Sequence, residues 1–147
     1  MTQLPNELMS NLYAVILAGG SGVRFWPLSR ESSPKQMLQI VGEDTLLRQA
    51  IKRIDGFVLP EKIWIVTTED KAQDIKFHIE PLGPTAKEIR FIKEPIGRNT
   101  APAIGLAAFY LHRLAPESVM IVMPSDHAIP DIERFLRGQR PKNMLNP

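Results

Sequence analysis

The stretch YAVILAGGSGVR, residues 13–24, decides how this chain folds. Its first half, Tyr13 to Ala18, is a continuous apolar run rather than an alternating one, as expected of a strand buried on both faces of a parallel sheet. The second half, Gly19-Gly20-Ser21-Gly22-Val23-Arg24, reads as a turn whose backbone N–H groups can point inward at an anion with no Cβ in the way. Working outward, Lys62 to Val66, Ile89 to Ile92 and Val119 to Met123 read as three further strands, the last also continuously apolar.

Helical periodicity fills the gaps. Leu46, Leu47, Ala50, Ile51 and Ile54 fall on one helical face, with Asp44 or Thr45 placed to cap it. A second helix is expected from about Asp70 to His78. A third is expected from near Thr100 to Leu114, with Pro102 in its first turn, where a missing N–H costs little. Its small residues Ala101, Gly105 and Ala108 form a face able to approach a sheet closely. The order β-α-β-α-β-α-β predicts a doubly wound, mostly parallel α/β domain with right-handed crossovers. In the common strand order of this class the first strand lies beside both the second and the fourth, and ligands bind where those two strands end.

Composition narrows the function classes. At 147 residues and 44% hydrophobic content the chain suits one globular core. A net charge of +2, from 18 basic residues scattered among 16 acidic ones, does not by itself indicate a nucleic-acid binder; no nucleic-acid partner is expected, and such binding stays a minor alternative. The lack of cysteine excludes a disulfide framework and thiolate chemistry. No Lys or Arg precedes Arg24, and the early apolar run is too short to span a bilayer, so a cytoplasmic protein without a membrane partner is expected.

Chemistry concentrates at the two strand ends. The glycine loop is neither a Walker loop, since no Gly-Lys-Ser/Thr follows, nor the dinucleotide fingerprint, since Phe25 stands where the third glycine belongs. It is either an anion nest or a tight turn without a ligand. Arg24 and Lys35, on a segment stiffened by Pro27 and Pro34, could neutralise different parts of a polyphosphate, one as a planar fork and one as a point charge; otherwise they are solvated surface cations. Past the fourth strand, Asp126 is placed either to hold a Mg²⁺ that also binds phosphate oxygens or to cap a turn. If strand geometry persists, His127 turns to the opposite face, and it reads as a structural histidine, as do His78 and His112. In the segment Glu94 to Pro102, Asn99 offers donors and an acceptor to a base edge, and Asn99 or Thr100 equally suits a helix cap.

Together, "LAGGSGVRFWPLSRESSPKQ", "EPIGRNTAPAI" and "MPSDH" resemble the sugar-phosphate nucleotidyltransferases, and more closely the mannose-1-phosphate guanylyltransferases, over residues 13 to about 129. "PLSR", Gln36 directly after the lysine, and "GRNTAPA" carry the guanylyl likeness. The resemblance implies a Rossmann-like fold and transfer from GTP to mannose 1-phosphate, giving GDP-mannose and pyrophosphate. On this sequence it implies that Leu17, Ala18, Gly19, Gly20 and Gly22 wrap the nucleotide and that Arg24 and Lys35 act on the phosphates. It further implies that Asp126 binds Mg²⁺ and that Asn99 and Thr100 lie near the nucleoside.

The chain departs from that family after Ile129. Residues 1–12 read as an N-terminal extension, residues 13–129 as the nucleotide-binding part, and residues 130–147 as a short helix with an irregular tail. The fold is therefore expected to be incomplete, without the sugar-phosphate pocket and a further metal-binding carboxylate. An exposed sheet edge is expected to favour a homo-oligomer or a complementing partner. The alternatives to transfer are a non-catalytic GTP-binding or regulatory fragment, an inert truncated product, or thymidylyl or uridylyl transfer.

Overall fold

The computed structural model describes residues 10–19, 44–97, 99–127, 129 and 134. Four strands, β1 (Leu12–Leu17), β2 (Ile63–Thr68), β3 (Arg90–Glu94) and β4 (Val119–Pro124), form one sheet in the order β3-β2-β1-β4. Every neighbouring pair is parallel. The expected placement of β1 between β2 and β4 is therefore observed, and β1 and β4 flank the switch point. Helices α1 (Leu46–Arg53), α2 (Glu69–Ile79), α3 (Pro84–Glu88) and α4 (Thr100–Leu114) supply the connections.

Strand alternation splits the core into two layers. Leu12, Ala14, Ile16 and Ala18 of the first strand segment join Ile63, Ile65, Ile121 and Met123 against Leu47, Ala50 and Ile51 of α1 and Ile75 and Ile79 of α2. On the other face Val15, Trp64, Val66 and Ile92 pack against Ala103, Ala107 and Leu111 of α4. Helices thus cover both faces, which is why the centres of β1 and β2, residues 14–17 and 63–66, are continuously apolar.

Local chemistry explains the element ends. Thr45, with extended backbone, caps α1 by accepting a hydrogen bond from the Arg48 N–H at 3.3 Å, while Asp44 pairs with Arg48 at 3.3 Å and Lys52 at 2.5 Å. Helix α2 ends at a 3₁₀ turn, Glu80–Leu82, and Gly83 then takes φ of 64°, a conformation that suits a residue without Cβ, before Pro84 opens α3. Neither that turn nor α3 is among the expected elements.

One expectation is corrected. The face of α4 that meets the sheet is Ala103, Ala107 and Leu111, whereas Ala101, Gly105 and Ala108 are exposed. Both stripes are small, but the first continues into Leu111 and the second into His112, and burial follows the apolar continuation. Strands β2 and β3 also run further than expected, to Thr68 and Glu94, carrying polar residues to the ligand end of the sheet. The segments read as an N-terminal extension and a C-terminal tail lie largely outside the described residues.

Candidate active site at the switch point

The end of β1 is held from both sides. The Ala18 N–H donates to the Val66 carbonyl at 2.8 Å, and the Thr67 hydroxyl, fully buried, donates to the Ala18 carbonyl at 3.2 Å. On the other side the Ser125 N–H donates to the Leu17 carbonyl at 3.1 Å. Leu17 and Ala18 thereby spend these backbone groups on the sheet, and Ala18 packs into the core, so they act as a rigid edge from which the glycine turn departs. Gly19 is half-buried, and its carbonyl accepts from Lys71 Nζ at 3.5 Å.

Asp126 stands two residues past Pro124, as Gly19 stands two past Leu17, its registered partner. The Asp126 side chain is 16% exposed, and its Oδ1 lies 3.9 Å from His127 Nε2. The expectation for His127 is corrected here. Strand β4 ends at Pro124 and the chain turns, so the histidine is not carried to the opposite face of a strand; its side chain is largely exposed beside Asp126. Among the described residues no group of three or more His, Cys, Asp or Glu forms a metal cage. A single hard carboxylate still fits Mg²⁺, which binds through one or two carboxylates and completes its octahedron with phosphate oxygens and water.

The residue that sequence reasoning passed over is Glu94. It shares a face of β3 with Ile92 and is only 6% exposed. Its Oε2 would lie 3.5 Å from a Cβ built on Gly19, so the carboxylate reaches across the end of β2 to the glycine turn. Among the described residues it makes no hydrogen bond or ion pair, and burial raises its pKa above the ordinary carboxylate value. Its neighbour Lys93 turns away, to Glu69 at 2.9 Å. The available signal was positional, since a strand through Ile92 extended by two residues puts a charged side chain at a buried position.

Asn99 precedes α4 with φ of 70° and ψ of −177° and provides no side-chain hydrogen bond to the helix end. Capping, one of its two readings, is thus not what its side chain does. Asn99 and Thr100 are exposed at the same end of the sheet as Glu94. Gly97 comes close to β2, where an added Cβ would meet Thr68 Cγ2 at 3.2 Å. Arg24, Lys35, Gly20, Gly22 and Gln36 lie outside the described residues. Among the described residues the arrangement brings together Gly19 after β1, the Asp126 carboxylate after β4, and the buried Glu94 carboxylate, which has no hydrogen-bond partner among them.

Among the described residues no helix is long and apolar enough to cross a membrane. The sequence pattern of the family described as Nucleotidyl transferase matches residues 13–144. The chain is 41% identical over 133 residues to the mannose-1-phosphate guanylyltransferase of Escherichia coli strain K12, covering 89% of this chain and 27% of that protein. It is 40% identical to the alginate biosynthesis protein AlgA of Pseudomonas aeruginosa, over 82% of this chain and 24% of that one. It spans about a quarter of the length of these relatives. The crystal structure of mannose-1-phosphate geranyltransferase from Thermus thermophilus superposes with a TM-score of 0.71 at 34% identity, over 86% of this chain and 36% of that one.

Proposed function

Because the chain belongs to the nucleotidyl transferase family, we propose that it binds GTP at the switch point and serves transfer of its guanylyl group to mannose 1-phosphate, giving GDP-mannose and pyrophosphate. The observation that carries the choice of base is the buried carboxylate of Glu94, which faces Gly19 and makes no hydrogen bond or ion pair among the described residues. Guanine presents two adjacent donors, N1–H and the N2 amino group, which match two carboxylate oxygens. Uracil and thymine present one N–H between two carbonyl oxygens, and adenine and cytosine place an acceptor there, which a carboxylate repels. Bidentate reading of this kind is worth about 1–3 kcal/mol of discrimination.

The chemistry asks little of a proton donor. A phosphate monoester has its second pKa at about 6, so the attacking oxygen of the sugar phosphate is already ionised at neutral pH. The attacking oxygen displaces pyrophosphate from the α-phosphorus, so one P–O bond forms as another breaks. The protein must bring two anions in line and disperse charge on the departing pyrophosphate. In this reading Arg24 and Lys35 neutralise the phosphates, Asn99 and Thr100 line the nucleoside, and Asp126 holds Mg²⁺. When bound, that ion supplies charge neutralisation on the phosphate oxygens.

The test is pyrophosphate release with mannose 1-phosphate and each of GTP, ATP, UTP and dTTP. Release with GTP at a rate at least tenfold above the others supports the reading, and preference for UTP or dTTP overturns its guanylyl part. Binding of GTP without release removes the transfer and leaves a nucleotide-binding chain. In a chain that turns over, Arg24→Ala is expected to slow release by about 10²- to 10³-fold, the effect of losing one preorganised charge donor; near-normal release would remove Arg24 from the site.

A further inference from the structure

Arg53 closes α1 in a position that needs explaining. It lies in line with Leu46 and Ala50 on the apolar face of that helix, and only 3% of it is exposed. Removing a guanidinium from water is costly before any partner is found, and burial here lowers its pKa from the ordinary arginine value. A leucine would serve the α1 face at lower cost. The guanidinium instead crosses to the other end of the domain sequence, where Nη2 donates to the His127 carbonyl at 2.7 Å.

That carbonyl is one residue beyond Asp126, and the other side of Asp126 is tied as well. Ser125 is 3% exposed and its N–H donates to the Leu17 carbonyl at 3.1 Å. The segment carrying Asp126 is therefore held by β1 through its leading residue and by α1 through its trailing one. The Asp126 side chain between them is partly exposed, at 16%, and that of His127 more so, at 65%. Fixing the backbone on both sides of a partly exposed carboxylate is how a scaffold sets the direction of a metal ligand without touching the metal.

We propose that Arg53 is the positioning residue for Asp126: by holding the His127 carbonyl it fixes the turn after β4 and sets where the Asp126 carboxylate meets a divalent cation bound with the nucleotide phosphates. The inference rests on the functional reading above, in which Asp126 is the Mg²⁺ ligand. A purely structural Arg53 would affect stability alone, whereas a positioning Arg53 also affects the coupling between metal and nucleotide.

The experiment is calorimetric titration of GTP into the full chain, with saturating Mg²⁺ and with EDTA, taking the ratio of the two affinities for each variant. Melting temperatures are measured alongside. Wild type is expected to bind GTP more tightly with Mg²⁺. Arg53→Met is expected to shrink that ratio at least tenfold, Asp126→Asn to shrink it similarly, and the double variant to shrink it no further than Asp126→Asn alone. Arg53→Lys, which keeps a buried cation able to reach a carbonyl, is expected to restore part of the ratio and carries the test if the methionine variant does not fold. A ratio in Arg53→Met, or in Arg53→Lys relative to it, that follows melting temperature alone overturns the inference, as do losses that multiply in the double variant. A wild type whose GTP affinity ignores Mg²⁺ overturns the functional reading itself.

Discussion

At the scale of single residues, Glu94 carries the most consequence. Its pKa is raised by burial, so its ionised form is what the fold disfavours. The stability this group contributes is fully present below its unfolded pKa and is lost as pH rises through the higher folded value. Glu94→Gln is therefore expected to melt a few degrees higher than wild type at pH 7, with the advantage vanishing in acid below the ordinary carboxylate range; equal melting curves at pH 7 would contradict the burial of a charge there. In the proposed reading ligand binding has the opposite sign, since guanine donors require the ionised carboxylate. GTP affinity is expected to fall with decreasing pH above the usual carboxylate range in wild type, and that component should be missing in Glu94→Gln, as calorimetry across pH 5–8 can check. Gly19 and Asp126 were legible from sequence because topology alone puts them at the ends of β1 and β4. Glu94 was not, because "KEP" after Ile92 looks like a loop, and the strand reaches Glu94 only through its pairing with Thr68. The placement of His127 was illegible for a related reason, as the turn after Pro124 breaks the alternation on which its reading depends.

At the scale of elements, apolar runs were sufficient to find the four strands among the described residues and helical periodicity to find three of their four helices; the signal is most continuous in β1 and β2, which are covered on both faces. Strand ends were less legible where polar residues continue the pairing, as at Thr67, Thr68 and Glu94. The small faces of α4 show what periodicity alone cannot decide, since two stripes of equal size compete until the sheet is in place. The choice is testable. Ala107, fully buried against β1 and β2, should not accept bulk, so Ala107→Leu is expected to cost about 1–3 kcal/mol of stability in denaturant melts, while Ala108→Leu on the exposed side stays within about 0.5 kcal/mol. The reverse order would mean that α4 is rotated relative to the packing described above. The cap on α1 is a second test at this scale, where Thr45→Ala is expected to lose about 1 kcal/mol through the freed Arg48 N–H.

At the scale of the whole molecule, the sheet order β3-β2-β1-β4 turns three separated sequence segments into one site. Glycine turn, Glu94 loop and Asp126 turn all leave the same end of the sheet because every strand runs in the same direction. In the proposed function the chemistry divides accordingly: Glu94 after β3 takes the base, the segment after β1 the phosphates and Asp126 after β4 the cation. The meeting of the segments after β1 and β4 was legible from the strand order, while the reach of Glu94 across β2 to Gly19 required the packed structure. The central claim is that this shared end selects guanine, and the most direct measurement is the affinity of wild type and Glu94→Gln for GTP and UTP, by calorimetry with Mg²⁺ at pH 7.5. The account predicts that wild type prefers GTP at least tenfold and that Glu94→Gln, although folded, loses most of that preference. Equal affinities in wild type, or an undiminished preference in Glu94→Gln, would contradict it.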